Sequence, residues 1–201
     1  MTNRNRNWQD VPLPDAMRNL EKDHRGLPIP FIVLRDMNER PLFTVNDSRK
    51  TARCLSEGLC PVCGRKLHRG RWFVGGPLSA LHPDGWYFDA PMHAECMRYA
   101  LRVCPYLAAP KYVRRLDDAQ VDPEKLPEGI LAVVDPTVIP DRPEIFVAVM
   151  SIGQQMKPGP AGQIYVRPKK RVRFEFWRAG EQLSQAEGFE IANRLVAAVQ
   201  S

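Results

Sequence analysis

The 201-residue sequence predicts an α+β fold, and three observations carry that prediction. Two short pairs of potential ligands, Cys60-Pro-Val-Cys63 and His93-Ala-Glu-Cys96, sit at breaks between apolar runs, where one metal ion can tie a loop to a helix. Arg171 to Arg178 alternates at the period of a strand, with Val172, Phe174 and Phe176 on one side and Arg171, Arg173, Glu175 and Trp177 on the other. Ser184-Gln185-Ala186-Glu187 is a capping box, and Phe189, Ala192, Leu195, Val196 and Val199 give the helix behind it an apolar stripe. The expected layout is a metal-centred lobe entered through an N-terminal β-hairpin, followed by a small antiparallel sheet with a C-terminal helix.

The elements follow in chain order. Residues 1–27 are polar and proline-bearing and read as a flexible arm with one helical turn near Asp15 to Asp23. Pro30 to Arg35 and Pro41 to Val45 are β-branched, apolar runs separated by Asp36-Met37-Asn38-Glu39, which predicts a hairpin. Asp47 or Ser48 caps a helix through Ser56, stopped by Gly58, with Cys54 and Leu55 facing the core. Trp72 to Val74 and Trp86 to Phe88 are strand candidates, so a second hairpin is expected between the ligand pairs. A helix from about His93 to Ala108 stacks Met97, Leu101, Cys104 and Ala108 and must kink or end near Pro105. Residues 28–112 thus form the metal lobe and 113–128 an acidic linker. Residues 129–201 form the second lobe, with strands expected at Ile130 to Val134, Ile145 to Met150, Ile164 to Val166 and Arg171 to Arg178.

A tetrahedral zinc site requires ligand pairs that reach one ion from a single turn of backbone. Here C-x2-C and H-x2-C are separated by 29 residues (93 − 63 − 1), and Cys60, Cys63, His93 and Cys96 are the predicted ligands. Pro61 and Gly64 suit a tight knuckle in which Gly64 takes positive φ and backbone N–H groups face the thiolates. His93 and Cys96, three residues apart on a first helical turn, face the same way, and the helix N-terminus favours the Cys96 thiolate. Four protein ligands leave no position for water, so the expected Zn2+ is structural, one per chain. His68 is an alternative to His93 that would break the second pair. Cys54 and Cys104 lie on apolar helix faces and read as core.

Knuckle, hairpin and helix-borne ligands, carried by CPVCG and MHAEC over Leu59 to Leu107, resemble the treble-clef zinc finger. The related His-Asn-His nucleases imply an enzyme only if the first strand carries a general-base histidine. Trp72-Phe73-Val74-Gly75-Gly76-Pro77 carries none, and His82 with Asp84 falls in a turn, so a non-catalytic protein is expected. The stretches GLPIPFIVLRD, FTVNDSRK, FVGGP and RVCPYLAAP with the two ligand motifs also resemble uncharacterised small phage and bacterial proteins. That resemblance implies a phage or mobile-element setting and no activity.

The net charge of +6 is unevenly spread: residues 48–115 carry 12 basic and 4 acidic side chains, net +8. Arg65, Lys66, Arg69 and Arg71 cluster after the knuckle, Lys111, Arg114 and Arg115 follow the helix, and Arg167, Lys169, Lys170, Arg171 and Arg173 precede or alternate with Phe174, Phe176 and Trp177. Cations beside aromatics suit phosphate contact and base stacking, whereas the bland reading makes the aromatics core and the cations a solvated face. The expected partner is nucleic acid or a host protein. An odd count of 5 cysteines, a charged N-terminus and no apolar run of membrane-spanning length predict a soluble protein of the reducing cytoplasm.

Overall fold

A computed structural model describes residues 8–83, 85–108, 127, 142–159 and 162–200. The strand expected at Ile130 to Val134, nearly all of the acidic linker 113–128, and Lys111, Arg114 and Arg115 lie outside them. The fold is mixed, with antiparallel sheets and a C-terminal helix. Among the described residues no helix is long and apolar enough to cross a membrane.

The first hairpin pairs β1 (Val33–Arg35) with β2 (Pro41–Asn46). Its turn closes because Asp36 Oδ1 accepts from the N–H groups of Asn38 and Arg40, while Glu39 takes φ 60°. Helix α1 (Ser48–Glu57) starts at Asp47, whose carboxylate accepts from Arg49 and Lys50 N–H, and stops at Gly58 in the left-handed region. Cys54 and Leu55 are buried from it.

Strand β3 (Gly70–Gly75) is followed by helix α2 (Pro77–Leu81), with Pro77 at its first turn. Helix α3 (Ala94–Val103) ends at Cys104 and passes into the short α4 (Pro105–Ala108), because Pro105 has no N–H to continue the ladder. Then come β4 (Phe146–Ile152), β5 (Gln154–Pro158), β6 (Ile164–Pro168), β7 (Arg171–Arg178), β8 (Glu181–Gln182) and α5 (Gln185–Gln200). At the start of α5 the Ser184 hydroxyl accepts from Glu187 N–H, whereas the Glu187 carboxylate pairs with Arg178 at 2.8 Å.

The hairpin expected between Trp72–Val74 and Trp86–Phe88 does not form. Strand β3 instead pairs antiparallel with β4, in a sheet ordered β3-β4-β7-β8, and Trp86 to Phe88 contributes one bridge, Tyr87 to Val166. Pro77 and its neighbours make a helix where a hairpin turn was expected. The sequence-distant pairing puts β3 from the first expected lobe and β4 and β7 from the second into one sheet.

Both faces of that sheet are covered. One face carries Phe73, Val147, Val149 and Phe176 against Ile191 and Ala192 of α5 and Ala80 of α2. The other carries Trp72, Phe146, Ala148 and Trp177 against Met97 and Leu101 of α3. Gly188 allows the closest approach of α5, since a Cβ there would fall 2.1 Å from the Phe176 ring. Residues 8–27, expected as an arm, place Met17 and Leu27 in a third cluster with Val62, Tyr99 and Val103 around the cysteines.

Strict alternation along β7 breaks near its start. Met150 faces Arg173 and Ser151 faces Arg171, so Val172 is an extra residue in a bulge. Arg171 is thereby turned to the sheet face opposite Arg173, and Val172 is left 48% exposed.

Candidate metal centre and basic surface

Cys60, Cys63, His93 and Cys96 are all buried, and their ligand atoms lie within 4.8 Å of one another. The knuckle that carries the first pair is closed by Cys60 N–H to Arg65 O and Gly64 N–H to Cys60 O, both 2.8 Å, and by a bridge between Leu59 and Lys66. Gly64 holds φ 73°. Backbone N–H groups of Cys63 and His93 donate to the Cys60 sulfur, and that of Arg65 donates to Cys63.

His93 is the N-cap of α3, which puts Cys96 one turn further on and on the same side. Its Nδ1 lies 3.3 Å from Cys63 Sγ, and its Nε2 lies 2.9 Å from the Lys66 carbonyl oxygen. A donated Nε2–H fixes the tautomer and leaves Nδ1 as the electron pair facing the thiols. The knuckle therefore both carries two candidate ligands and orients a third. His68 stands outside the cluster, its ring centroid 5.1 Å from that of His93.

Four convergent donors, three of them sulfurs, suit a metal cation. Hydrogen bonds from the Cys60 and Cys96 thiols, chiefly, pull Cys63 well below the ordinary thiol range. Sharing that hydrogen bond pushes Cys60 up to about 11, and contacts with Cys60 and Cys63 raise Cys96 as well. A bound metal ion would take the place of the thiol protons. The cluster can hold one metal ion with four protein donors. Cys54 is separate: burial, chiefly, pushes its thiol up to about 12.

The cationic residues divide. Arg65, Lys66 and Arg69 are exposed on the knuckle, with Lys66 Nζ donating to the Glu57 carbonyl. Arg71, Ser151 and Arg171 are aligned across β3, β4 and β7, two strand spacings or roughly 10 Å from end to end. Lys170 N–H donates to Ser151 Oγ, and a Cβ at Gly153 would meet the Lys169 side chain at 3.7 Å. The segments that carry Arg69, Arg71, Lys169, Lys170 and Arg171 therefore lie at one end of the sheet. Arg173 lies on the opposite face, 3.4 Å from Glu175 and over the Trp72 ring.

The aromatics singled out in the sequence are structural: Phe176 and Trp177 are buried and Phe174 packs on Phe189 at 5.6 Å. Different rings accompany the cations. Lys157 Nζ and Arg167 Cζ lie 4.3 and 4.9 Å from the Trp86 centroid, and Lys157 is also 5.6 Å from Tyr165. Sequence reasoning missed this group because Trp86 is about eighty residues from Arg167, and β5 has polar composition. His82 caps the end of α2 and offers its carbonyl to Arg171 at 3.2 Å; Asp84 lies outside the described residues.

No known family model matches the chain, and no curated protein or solved structure shows significant similarity to it.

Proposed function

We propose that the chain is a zinc-stabilised, non-catalytic binding protein whose ligand is nucleic acid. Three cysteine sulfurs and one imidazole are a soft donor set that would suit tetrahedral Zn2+ over hard cations, and four protein donors would leave no open position for hydrolytic chemistry. In this reading the knuckle, β3 and α3 form a treble-clef arrangement in which the bridge between Trp72 and Met92 replaces the usual hairpin. The metal then sets α3 against the sheet. A phage or mobile-element setting rests on sequence resemblance alone.

The nucleic-acid reading is supported by the placement of Arg69 and Arg71 at the same sheet end as Lys169, Lys170 and Arg171, from segments about a hundred residues apart. Converging cations of one sign favour a polyanion. A second reading, a host protein, is favoured by Ile152, Met156 and Val172, which are 37%, 51% and 48% exposed near the same end.

Titration of mixed-sequence oligonucleotides, followed by fluorescence anisotropy, tests the first reading. Affinity should fall steeply with salt, and Arg69→Ala with Lys170→Ala should lower the log–log slope by about two. Absence of binding at low ionic strength, where attraction is strongest, would overturn it in favour of the protein partner.

A further inference from the structure

We infer that the nucleic acid is single-stranded and that it is held by a cleft between the turn after α2 and the β6–β7 connection. This rests on the nucleic-acid reading above and specifies its site. The cleft is lined by Pro83, Gln155, Arg167, Pro168, Lys169 and Arg171, and none of these is acidic. Arg171 is anchored by one guanidinium nitrogen on the His82 carbonyl at 3.2 Å, while its buried Nε has no hydrogen-bond partner among the described residues. The anchored guanidinium keeps its charge at the cleft wall, where it is complementary to an anionic oxygen.

Arg167 joins this cleft to an aromatic surface. Its guanidinium is fixed by Gln155 Oε1 at 2.7 Å, its cross-strand partner on β5, and lies over the Trp86 ring. Lys157 pairs with Tyr165 across the same hairpin, and both cations share the Trp86 ring. The order along the surface is thus Arg171 and Lys169, then Arg167, then Trp86, Lys157 and Tyr165. Cations spaced beside half-buried rings match a strand whose phosphates enter the cleft while an adjacent base reaches the rings. Lys157 is exposed, and a base–aromatic stack is stronger than an exposed cation–ring contact, so a base can displace its ammonium from the ring. A duplex offers the same phosphates but keeps its bases stacked on each other, so the rings select unpaired strands.

The experiment compares a fluorescent single-stranded oligothymidylate with a duplex of equal length, using full-length protein at low salt. Single strands should bind about tenfold more tightly, and Trp86→Leu should remove about that factor from single-strand binding alone. Arg167→Ala with Lys169→Ala should lower the single-strand salt slope by about 1.4, at about 0.7 per phosphate contact. If Trp86→Leu disturbs the fold by circular dichroism, Lys169→Glu, at an exposed site, tests the cleft instead by lowering single-strand affinity. Equal affinity for duplex and single strand, with all these variants neutral, would overturn the cleft while leaving nucleic-acid binding in place. Binding of neither oligonucleotide would overturn both.

Discussion

Arg98 Nη2 lies 2.6 Å from Glu175 Oε1, so the helix that carries Cys96 is ion-paired to the middle of the sheet. The contact is two-pronged, with Arg98 Nε 3.1 Å from the other carboxylate oxygen. Glu175 is fully buried, and Arg98 and Arg173 both lie over the Trp72 ring, at 5.6 and 6.0 Å. The helix that carries Cys96 and the sheet are therefore joined by charge as well as by apolar packing.

Removing one partner leaves a buried carboxylate without its main counter-charge. Arg98→Ala should cost about 3 kcal/mol in urea unfolding, the low end for buried pairs because Arg98 keeps some solvent contact. Arg98→Met with Glu175→Leu should cost less than Arg98→Ala alone, since no charge is stranded. A single-variant loss below about 1 kcal/mol would show the pair to be incidental.

Gly188 gives a prediction of opposite sign to helix propensity. At an exposed helical site Gly→Ala stabilises by about 1 kcal/mol. Here the added methyl meets Phe176 atoms at 2.1 to 2.4 Å, so Gly188→Ala should destabilise by about 1 to 3 kcal/mol in chemical denaturation.

Cys54 should be inert and dispensable for the metal. Cys54→Ala should retain metal and cost about 1 to 3 kcal/mol. Because burial raises the folded thiol to about 12 from an ordinary 9.0, its favourable effect on stability is complete below pH 9 and is lost as pH rises toward 12. The alkaline loss of stability should accordingly be shallower in Cys54→Ala, as read from thermal melts across that window.

Hydrolysis of DNA or RNA is not expected with magnesium, manganese or nickel, because β3 carries no histidine to act as base. Cleavage that disappears in His82→Ala would establish a nuclease instead.

Local rules make several elements legible in the sequence. The Asp47 cap, the Gly58 stop, the break at Pro105 and the span of β7 follow from side-chain capping, glycine freedom, a missing N–H and alternation, all within a few residues. The clustering of Cys60, Cys63, His93 and Cys96 is legible for the same reason, as each pair is a local motif. What alternation hid was the bulge at Val172, which separates Arg171 from Arg173, and the pairing of β3 with β4 some 75 residues later. Both depend on partners that a one-dimensional pattern does not name. Trp86 was read as strand because its aromatic neighbours favour one, yet its ring serves Lys157 and Arg167.

The central claim is that one zinc ion holds Cys60, Cys63, His93 and Cys96 and that the fold around them depends on it. Elemental analysis of purified protein, paired with circular dichroism before and after chelation, measures both parts. About one zinc per chain, absent in Cys60→Ser and Cys96→Ser, with loss of ordered structure on chelation, is the predicted result. Metal-free protein that keeps a full cooperative melt would contradict it.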